Sequence, residues 1–88
     1  MLQVVTTNKF ESDVRKMVRN GKEANLLWDL VDILISEEVI PEEYRDHELT
    51  GRWSGVRDIH IEADWLLLYK RINRELILLR TGTHQDLF

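Results

Sequence analysis

The sequence of 88 residues contains no cysteine, a single proline and no long apolar run. Without cysteine the chain can form neither disulfides nor thiolate zinc sites. The longest uninterrupted apolar stretch, Trp65 to Tyr69, is far shorter than the roughly 20 residues that a membrane-spanning helix requires. The first residues also lack the charged and apolar regions of a secretory signal. We therefore expect one domain over residues 1–88 that resides in the cytoplasm and has no membrane partner.

Basic residues are also in deficit, because 12 Lys and Arg stand against 16 Asp and Glu, which gives a formal net charge of −4. The acidic surplus lies in residues 1–43, whereas the two signs balance in residues 44–88. Proteins that bind nucleic acid through its phosphates usually carry a basic surplus, so the total charge argues against a general nucleic-acid binder. A local cationic pocket is still compatible with the second half, which holds Arg45, Arg52, Arg57 and Arg80.

The apolar pattern of the first half predicts one strand followed by two helices. Leu2 to Thr6 is short and β-branched, which is typical of a strand. Residues 8–21 begin with a sequence that resembles a capping box, continue with apolar residues at helical spacing and end at Asn-Gly. A second amphipathic pattern runs from Ala24 to Ile35. Pro41 prevents the second helix from continuing.

Beyond Pro41 the period changes from helical to alternating, which predicts three strands joined by tight turns. Residues 58–62 alternate between polar and apolar, and residues 65–69 are apolar on both faces, as in a central strand. Residues 76–80 form the last strand, and the short turns indicate antiparallel neighbours. The predicted fold is α+β with the order β-α-α-β-β-β: a small antiparallel-dominated sheet with two helices packed on one face.

The same alternation indicates which side chains lie away from the helices. We expect the helix-facing positions of the last strands to be Ile59, Ile61, Ile77 and Leu79. His60 and Arg80 would then share the opposite, open face of the sheet. His84 follows four residues after Arg80, and Gly82 makes the intervening link bendable, so His84 can approach the same face.

This open face would carry the groups that are needed to cleave RNA without a metal. Histidine has an unperturbed pKa of about 6.5, so it can accept and donate protons near neutral pH. RNA supplies its own nucleophile, the 2′-hydroxyl, and an arginine fork can hold the phosphoryl oxygens. Positioned acid–base groups contribute on the order of 10²–10⁴-fold in rate. The candidates are all three histidines with one aspartate and one arginine: His47, His60, Asp64, Arg80 and His84.

Each candidate also has a purely structural interpretation. His47 could be an ordinary loop residue, His60 a solvated cross-strand neighbour and Asp64 a turn residue. Arg80 could form a surface ion pair with Asp58, which would have little energetic weight.

The aromatic residues divide in the same way. Trp65 and Tyr69 belong to the apolar strand, and we expect both in the core. Phe88, the last residue, is either an apolar clasp against the body of the protein or a stacking surface for a base.

A metal site is the other obvious use of three histidines. The rings lie thirteen and twenty-four residues apart, without the His-x-x-x-His spacing of a helical ligand pair. No Gly-rich phosphate loop or nucleophile-elbow motif accompanies them. We therefore expect neither a catalytic metal nor any other cofactor.

Three blocks of the second half resemble a known family. They are residues 40–51 (IPEEYRDHELTG), residues 57–69 (RDIHIEADWLLLY) and residues 78–88 (LLRTGTHQDLF). Together they are similar to the YafQ family of type II toxin–antitoxin toxins, within the RelE superfamily. The likeness is close over the second half and looser over the two helices.

The resemblance implies a RelE-like endoribonuclease that enters the ribosome and cuts mRNA in the A site. It also implies a cognate antitoxin as partner, with operator DNA contacted only through the toxin–antitoxin complex. Carried over position by position, the family's acid–base residues fall on His47, His60, Asp64 and His84, and its phosphate-stabilising arginine falls on Arg80. Phe88 matches the aromatic residue that positions mRNA.

Within that set, we expect His84 to be the acid and Asp64 or a neighbouring histidine to be the base. Trp65 matches a residue of the same motif, and we expect it to play a supporting role. Two departures from the family pattern are Glu48 and Ala63, which stand where members usually have proline. Loss of these prolines would loosen the loops around the site.

Two alternatives remain open from the sequence. A RelE-fold toxin of the gyrase-poisoning branch would act without cutting RNA, but that branch lacks the set of three histidines. A degenerate toxin that serves only as an antitoxin-binding corepressor would fit the acidic net charge.

Overall fold

The computed structural model describes all 88 residues, which form a five-stranded sheet with two helices against one face. The strands are β1 (Gln3–Thr6), β2 (His47–Glu48), β3 (Arg57–Glu62), β4 (Trp65–Ile72) and β5 (Glu75–Gly82), and the helices are α1 (Asn8–Arg19), α2 (Ala24–Ser36) and α3 (His84–Leu87). The order across the sheet is β1-β5-β4-β3-β2, in which β1 runs parallel to β5 and the other pairs are antiparallel. No helix combines the length and apolar character that a membrane crossing needs.

The predicted α+β fold is confirmed, with two elements that the sequence pattern did not indicate. One is β2, which pairs only two residues with β3 and is too short to show an alternation. The other is α3, a single turn that follows β5. Thr83 caps α3 by accepting from the backbone N–H of Asp86, whose carboxylate accepts from the N–H of Thr83. The predicted capping box of α1 is wrong, because Thr7 rather than Asn8 is its N-cap.

The larger core lies between the helices and one face of the sheet. Three alternate residues of β4 point toward the helices and are fully buried there: Trp65, Leu67 and Tyr69. This core joins side chains of α1, α2, β3, β4 and β5: Phe10, Met17, Leu27, Leu30, Leu34, Ile59, Trp65, Leu67, Tyr69, Leu76 and Leu78.

The prediction that the opposite face of the sheet is open is wrong. A second, smaller apolar cluster covers it. Its buried members are Leu66 and Leu68 of β4 and Leu87 of α3. Partly buried side chains from the segment between β2 and β3 complete it: Leu49, Trp53 and Val56. Polar groups on this face are therefore partly desolvated.

A β-bulge in β5 sets the side on which Arg80 lies. Leu78 pairs with Tyr69, but Arg80 pairs with Leu68, so Leu79 is an extra residue without a partner in the ladder. The prediction that Ile77 and Leu79 face the helices is wrong, because Leu76 and Leu78 do so. The extra residue shifts the alternation by one. Arg80 therefore shares the face of Leu68, opposite the helices, for a reason that the simple alternation did not contain.

The buried central strand should dominate stability. We expect Leu67→Ala to lower the free energy of unfolding by about 2–5 kcal/mol, because it removes a fully buried side chain from a packed core. The matched control is Leu26→Ala in α2. Leu26 is 42% exposed, so its replacement should lower the free energy of unfolding by less than about 1 kcal/mol. Urea unfolding followed by far-UV circular dichroism measures both. Equal losses in the two variants would contradict this account of the core.

Candidate active site

The three imidazole rings, which are far apart in the sequence, lie side by side on the sheet face opposite α1 and α2. The ring centroids of His47 and His60 are 6.1 Å apart, and those of His60 and His84 are 5.8 Å apart. Each ring comes from a different element: β2, β3 and the first residue of α3. His60 is the central ring and lies next to both of the others.

The central part of the cluster is buried. His60 is 7% exposed and Asp58, two residues earlier on the same face of β3, is 4% exposed. His60 Nδ1 and Asp58 Oδ1 have no hydrogen-bond partner in the protein. Burial lowers the pKa of His60, and the charge of Asp58 opposes this shift only in part. Burial likewise raises the pKa of Asp58. His60 is therefore poised as a neutral imidazole, which is the form that can accept a proton.

His84 is held by the carboxylate of Asp64 in the β3–β4 turn. Its Nδ1 lies 2.6 Å from Asp64 Oδ1, and its backbone N–H donates to the same oxygen at 2.9 Å. The backbone N–H and then the ring of His84 hold the pKa of Asp64 below its usual value. An ionised carboxylate can only accept, so the proton of the pair resides on Nδ1. Nε2 of His84 is then the nitrogen that is free for chemistry, and its side chain is exposed.

His47 occupies the other side of His60. Its Nδ1 lies 2.9 Å from the carbonyl oxygen of Arg45, which can only accept, so Nδ1 carries a proton here too. Its Nε2 is 3.8 Å from Asp58 Oδ2, across the β2–β3 pair. Asp58 therefore lies close to the ring of His47, and its charge also acts on the ring of His60.

The loop that carries His47 is anchored through the preceding residue. Asp46 accepts from Arg57 Nη2 at 3.0 Å and from the hydroxyl of Tyr69 at 2.6 Å. These partners lie on β3 and β4, so an ion pair and a hydrogen bond fix the loop that leads into β2. The hydrogen bonds that Arg57 donates to Asp46 raise the pKa of Arg57, and burial raises the pKa of Tyr69.

Arg80 is charged and already has one partner. Its Nε donates to Asp13 Oδ2 at 2.6 Å and its Nη2 donates to Asp13 Oδ1 at 3.1 Å. This hydrogen-bonded pair raises the pKa of Arg80. A guanidinium has five N–H donors, so Asp13 engages one edge of the fork and leaves three donors for another ligand.

A cleft of about 270 Å³ lies beside His60. It is bounded on one side by residues 43–45 and on the other by residues 60–63 at the end of β3. Beyond Asp58 the outer edge of β3 is no longer paired with β2, which is why the cleft can form there. Its size suits a fragment such as one base rather than a larger ligand.

Phe88 is 57% exposed, and its ring meets that of Trp53 edge-on, with centroids 6.1 Å apart and planes at 78°. One edge of the ring is thus supported by the protein, whereas much of its surface faces solvent. Trp65, in contrast, is a core residue whose Nε1 donates to Thr81 Oγ1. The prediction that Trp65 lies in the core is confirmed.

No three side chains of His, Asp or Glu are grouped as ligands of one metal ion.

Comparison with known proteins identifies the family. A family model described as the bacterial toxin of a type II toxin–antitoxin system, YafQ, matches residues 2–88. The chain belongs to the YafQ family. The mRNA interferase toxin YafQ of Escherichia coli strain K12 is 40% identical to it over 83 residues, which cover 93% of this chain and 90% of that protein.

Solved toxin structures share the whole architecture. YafQ in the crystal structure of the Escherichia coli DinJ–YafQ complex has a TM-score of 0.92 and 37% identity, covering 100% of this chain and 99% of that one. A crystal structure of a metal-bound toxin from Helicobacter pylori has a TM-score of 0.93 and 36% identity, covering both chains completely.

The sequence pattern of this YafQ-family chain predicted which residues gather but not all of their contacts. His47, His60 and His84 meet as expected, with Asp64 beside His84. The structural alternative, in which Arg80 forms an ion pair with Asp58, is not what the structure shows, because Arg80 binds Asp13. The four arginines do not form one free cationic pocket either, since Arg57 pairs with Asp46 and Arg80 with Asp13.

Two residues of the site were missed. Asp58 lies two positions before His60 on a strand, and that spacing alone puts both side chains on one face of the sheet. Asp13 carried no usable signal, because it lies 67 residues from Arg80 in the middle of an ordinary amphipathic helix.

Asp58 should lower stability at neutral pH. Because its pKa is raised on folding, the folded state binds more protons than the unfolded state between the two pKa values, and stability falls as pH rises through that window. We expect Asp58→Asn to raise the free energy of unfolding at pH 7, and the gain to shrink as the pH falls below the ordinary aspartate pKa of 3.8, where the wild-type carboxyl becomes protonated in both states.

Urea unfolding of both proteins at several pH values measures this effect. The matched control is Asp64→Asn, the same change at an exposed aspartate whose pKa is lowered on folding, which should give no gain at pH 7. A less stable Asp58→Asn variant at pH 7 would contradict the assignment.

Proposed function

We propose that the protein is an mRNA interferase, a toxin that cleaves mRNA in the A site of the ribosome through metal-independent attack by the 2′-hydroxyl. The observation that carries the proposal is the row of three imidazoles with Arg80 on the same sheet face. Membership of a toxin family and 40% identity to an mRNA interferase support it. A toxin that acts by protein binding alone would have no use for a buried neutral histidine between two others.

His60 is the proposed base. A neutral imidazole takes the proton of the 2′-hydroxyl as the 2′-oxygen attacks the adjacent phosphorus. The lowered pKa of His60 keeps it neutral near pH 7, and the nearby Asp58 carboxylate stabilises the imidazolium that results. His47, on the other side of Asp58, completes this polar group and faces the substrate from β2.

His84 is the proposed acid. As the bond between phosphorus and the 5′-oxygen breaks, Nε2 of a protonated His84 gives its proton to the leaving oxygen. The products are a 2′,3′-cyclic phosphate and a 5′-hydroxyl. Asp64 is better suited to orient His84 and to stabilise its charged form than to act as the base, because its own pKa is lowered. Of the two candidates for the base, Asp64 and a neighbouring histidine, we therefore favour the histidine.

Arg80 and Phe88 are the proposed binding residues. The edge of the Arg80 guanidinium that Asp13 leaves free can donate to the two non-bridging oxygens, whose charge grows in the transition state. Phe88 offers an exposed ring for base stacking, and the cleft beside His60 can hold the base of a flanking nucleotide.

The proposed partners are the ribosome with its mRNA and a cognate antitoxin. Escherichia coli YafQ is seen in a complex with DinJ, which supports an antitoxin partner for this chain. Contact with operator DNA is proposed only through the toxin–antitoxin complex, and the proposed site of action is the cytoplasm. Because the acidic surplus lies in residues 1–43, the second half is the better candidate for the ribosome-facing surface.

The test is cleavage of a defined mRNA on programmed ribosomes, with analysis of the product ends. We expect a cyclic phosphate and a 5′-hydroxyl, and no cleavage when one 2′-deoxy nucleotide replaces the ribose at the cut. A chelator of transition metals that spares Mg²⁺ should leave the rate unchanged, and this arm also tests the metal alternative raised by the Helicobacter pylori relative. Intact mRNA together with retained antitoxin binding would support the corepressor instead.

Loss of the proposed acid should stop the reaction without unfolding the protein. We expect His84→Ala to slow single-turnover cleavage by about 10²–10⁴-fold, the usual contribution of a positioned acid–base group. The control is Gln85→Ala, at the next exposed position of the same helix, which should cleave like wild type. Thermal unfolding checks that both variants are folded. Undiminished cleavage by a folded His84→Ala variant would remove His84 from the mechanism.

A further inference from the structure

The free edge of β5 is completed by α1 rather than by a strand. β1 pairs with β5 only as far as Leu78, and the chain then turns into α1. At that point the backbone N–H of Thr7 donates to the carbonyl oxygen of Leu78 at 3.2 Å. The hydroxyl of Thr7 donates to the carbonyl oxygen of Leu79 at 2.9 Å. Thr7 thus satisfies the backbone groups of the bulge that directs Arg80 toward the histidine face.

Asp13, almost two turns further along α1, binds the residues that follow the bulge. Its carboxylate accepts three hydrogen bonds: from Nε and Nη2 of Arg80 and from the backbone N–H of Thr81 at 3.2 Å. Asp13 is 8% exposed, so these contacts are only weakly screened by solvent. All three hydrogen bonds of the Asp13 carboxylate thus come from Arg80 and Thr81.

The same helix is tied to the element that carries His84. Lys16, one turn after Asp13, donates to Asp86 Oδ1 at 3.0 Å. The carboxylate of Asp86 also accepts from the backbone N–H of Thr83 and so completes the capping box of α3. One face of α1 therefore contacts both of the segments that bring functional groups to the site from β5 and α3.

We infer that Asp13 is a positioning residue for Arg80 in the cleavage reaction. The inference rests on the proposed function, because it assigns Asp13 a role in that reaction. Arginine has a long and flexible side chain, and a bidentate partner fixes the plane of its fork before substrate arrives. Asp13 binds the Nε–Nη2 edge, so the remaining edge, with Nη1, is presented in a fixed orientation to the phosphoryl oxygens.

A purely structural role would be different in its consequences. If Asp13 only completed the edge of β5 by accepting from Thr81, its loss would weaken folding and leave the reaction of the folded protein unchanged. If it acts through Arg80, its loss should lower kcat in the folded protein, and should have little further effect once Arg80 itself is gone.

A double-mutant cycle on steady-state cleavage, with the toxin limiting, separates these roles. The variants are Asp13→Asn, which can keep an acceptor for Thr81 but loses the charged pair, Arg80→Ala, and the double variant. We expect Asp13→Asn to lower kcat by roughly 10- to 100-fold with KM nearly unchanged, as for a misoriented catalytic group. In the Arg80→Ala background the same change should cost less than about 2-fold. Asp13→Glu, which restores the charge, should recover part of the rate.

The matched control is Glu11→Gln on the same helix, an exposed carboxylate whose side-chain hydrogen bond comes from Thr6 rather than from β5. It should cleave like wild type. Equal fold-losses from Asp13→Asn with and without Arg80 would overturn the inference, as would a kcat loss that follows the fraction of unfolded protein. Failure of the proposed function is a separate outcome, since wild-type protein would then leave the mRNA intact.

Discussion

The pairing of strands in one sheet is the constraint on which the site depends. His47 lies opposite Asp58, Asp58 opposite Leu68, and Leu68 opposite Arg80, so one row crosses four strands on a single face. A slip of one residue in any pair would turn the affected side chains to the helix side. The bulge at Leu79 shifts the alternation of β5 by one residue. Without it, Arg80 would lie on the same face as Leu76 and Leu78 and point into the core. Sheet geometry, rather than proximity in sequence, assembles the candidate catalytic groups.

The second constraint is the small apolar cluster on the histidine face. By covering β4 on that side, Leu87 and the segment between β2 and β3 remove water from His60 and Asp58. Two buried polar atoms without partners are unfavourable for folding. The same burial shifts both pKa values toward neutral forms, which suits proton transfer near pH 7. Stability is thus reduced where reactivity is gained, as is common in active sites.

The sequence predicts the strands, the helices and the three histidines because each leaves a periodic or chemical signal. It misses β2 because two residues show no period, and α3 because its cap is a single Thr83–Asp86 pair after a glycine. The bulge is invisible, since nothing in the run of residues 76–80 distinguishes an extra residue from a regular strand. Because the bulge was not predicted, Ile77 and Leu79 were wrongly assigned to the helix-facing side of β5. Asp13 is invisible because its role exists only after α1 and β5 have met.

The central claim is that the three imidazoles meet on one face of the sheet with a buried, neutral His60 at their centre. NMR titration of the ring signals of all three histidines between pH 4 and pH 9 tests it most directly. The account predicts that the ring of His60 becomes protonated only below its ordinary pKa of about 6.5, because burial lowers that pKa. Protonation of His60 at or above pH 6.5 would contradict it.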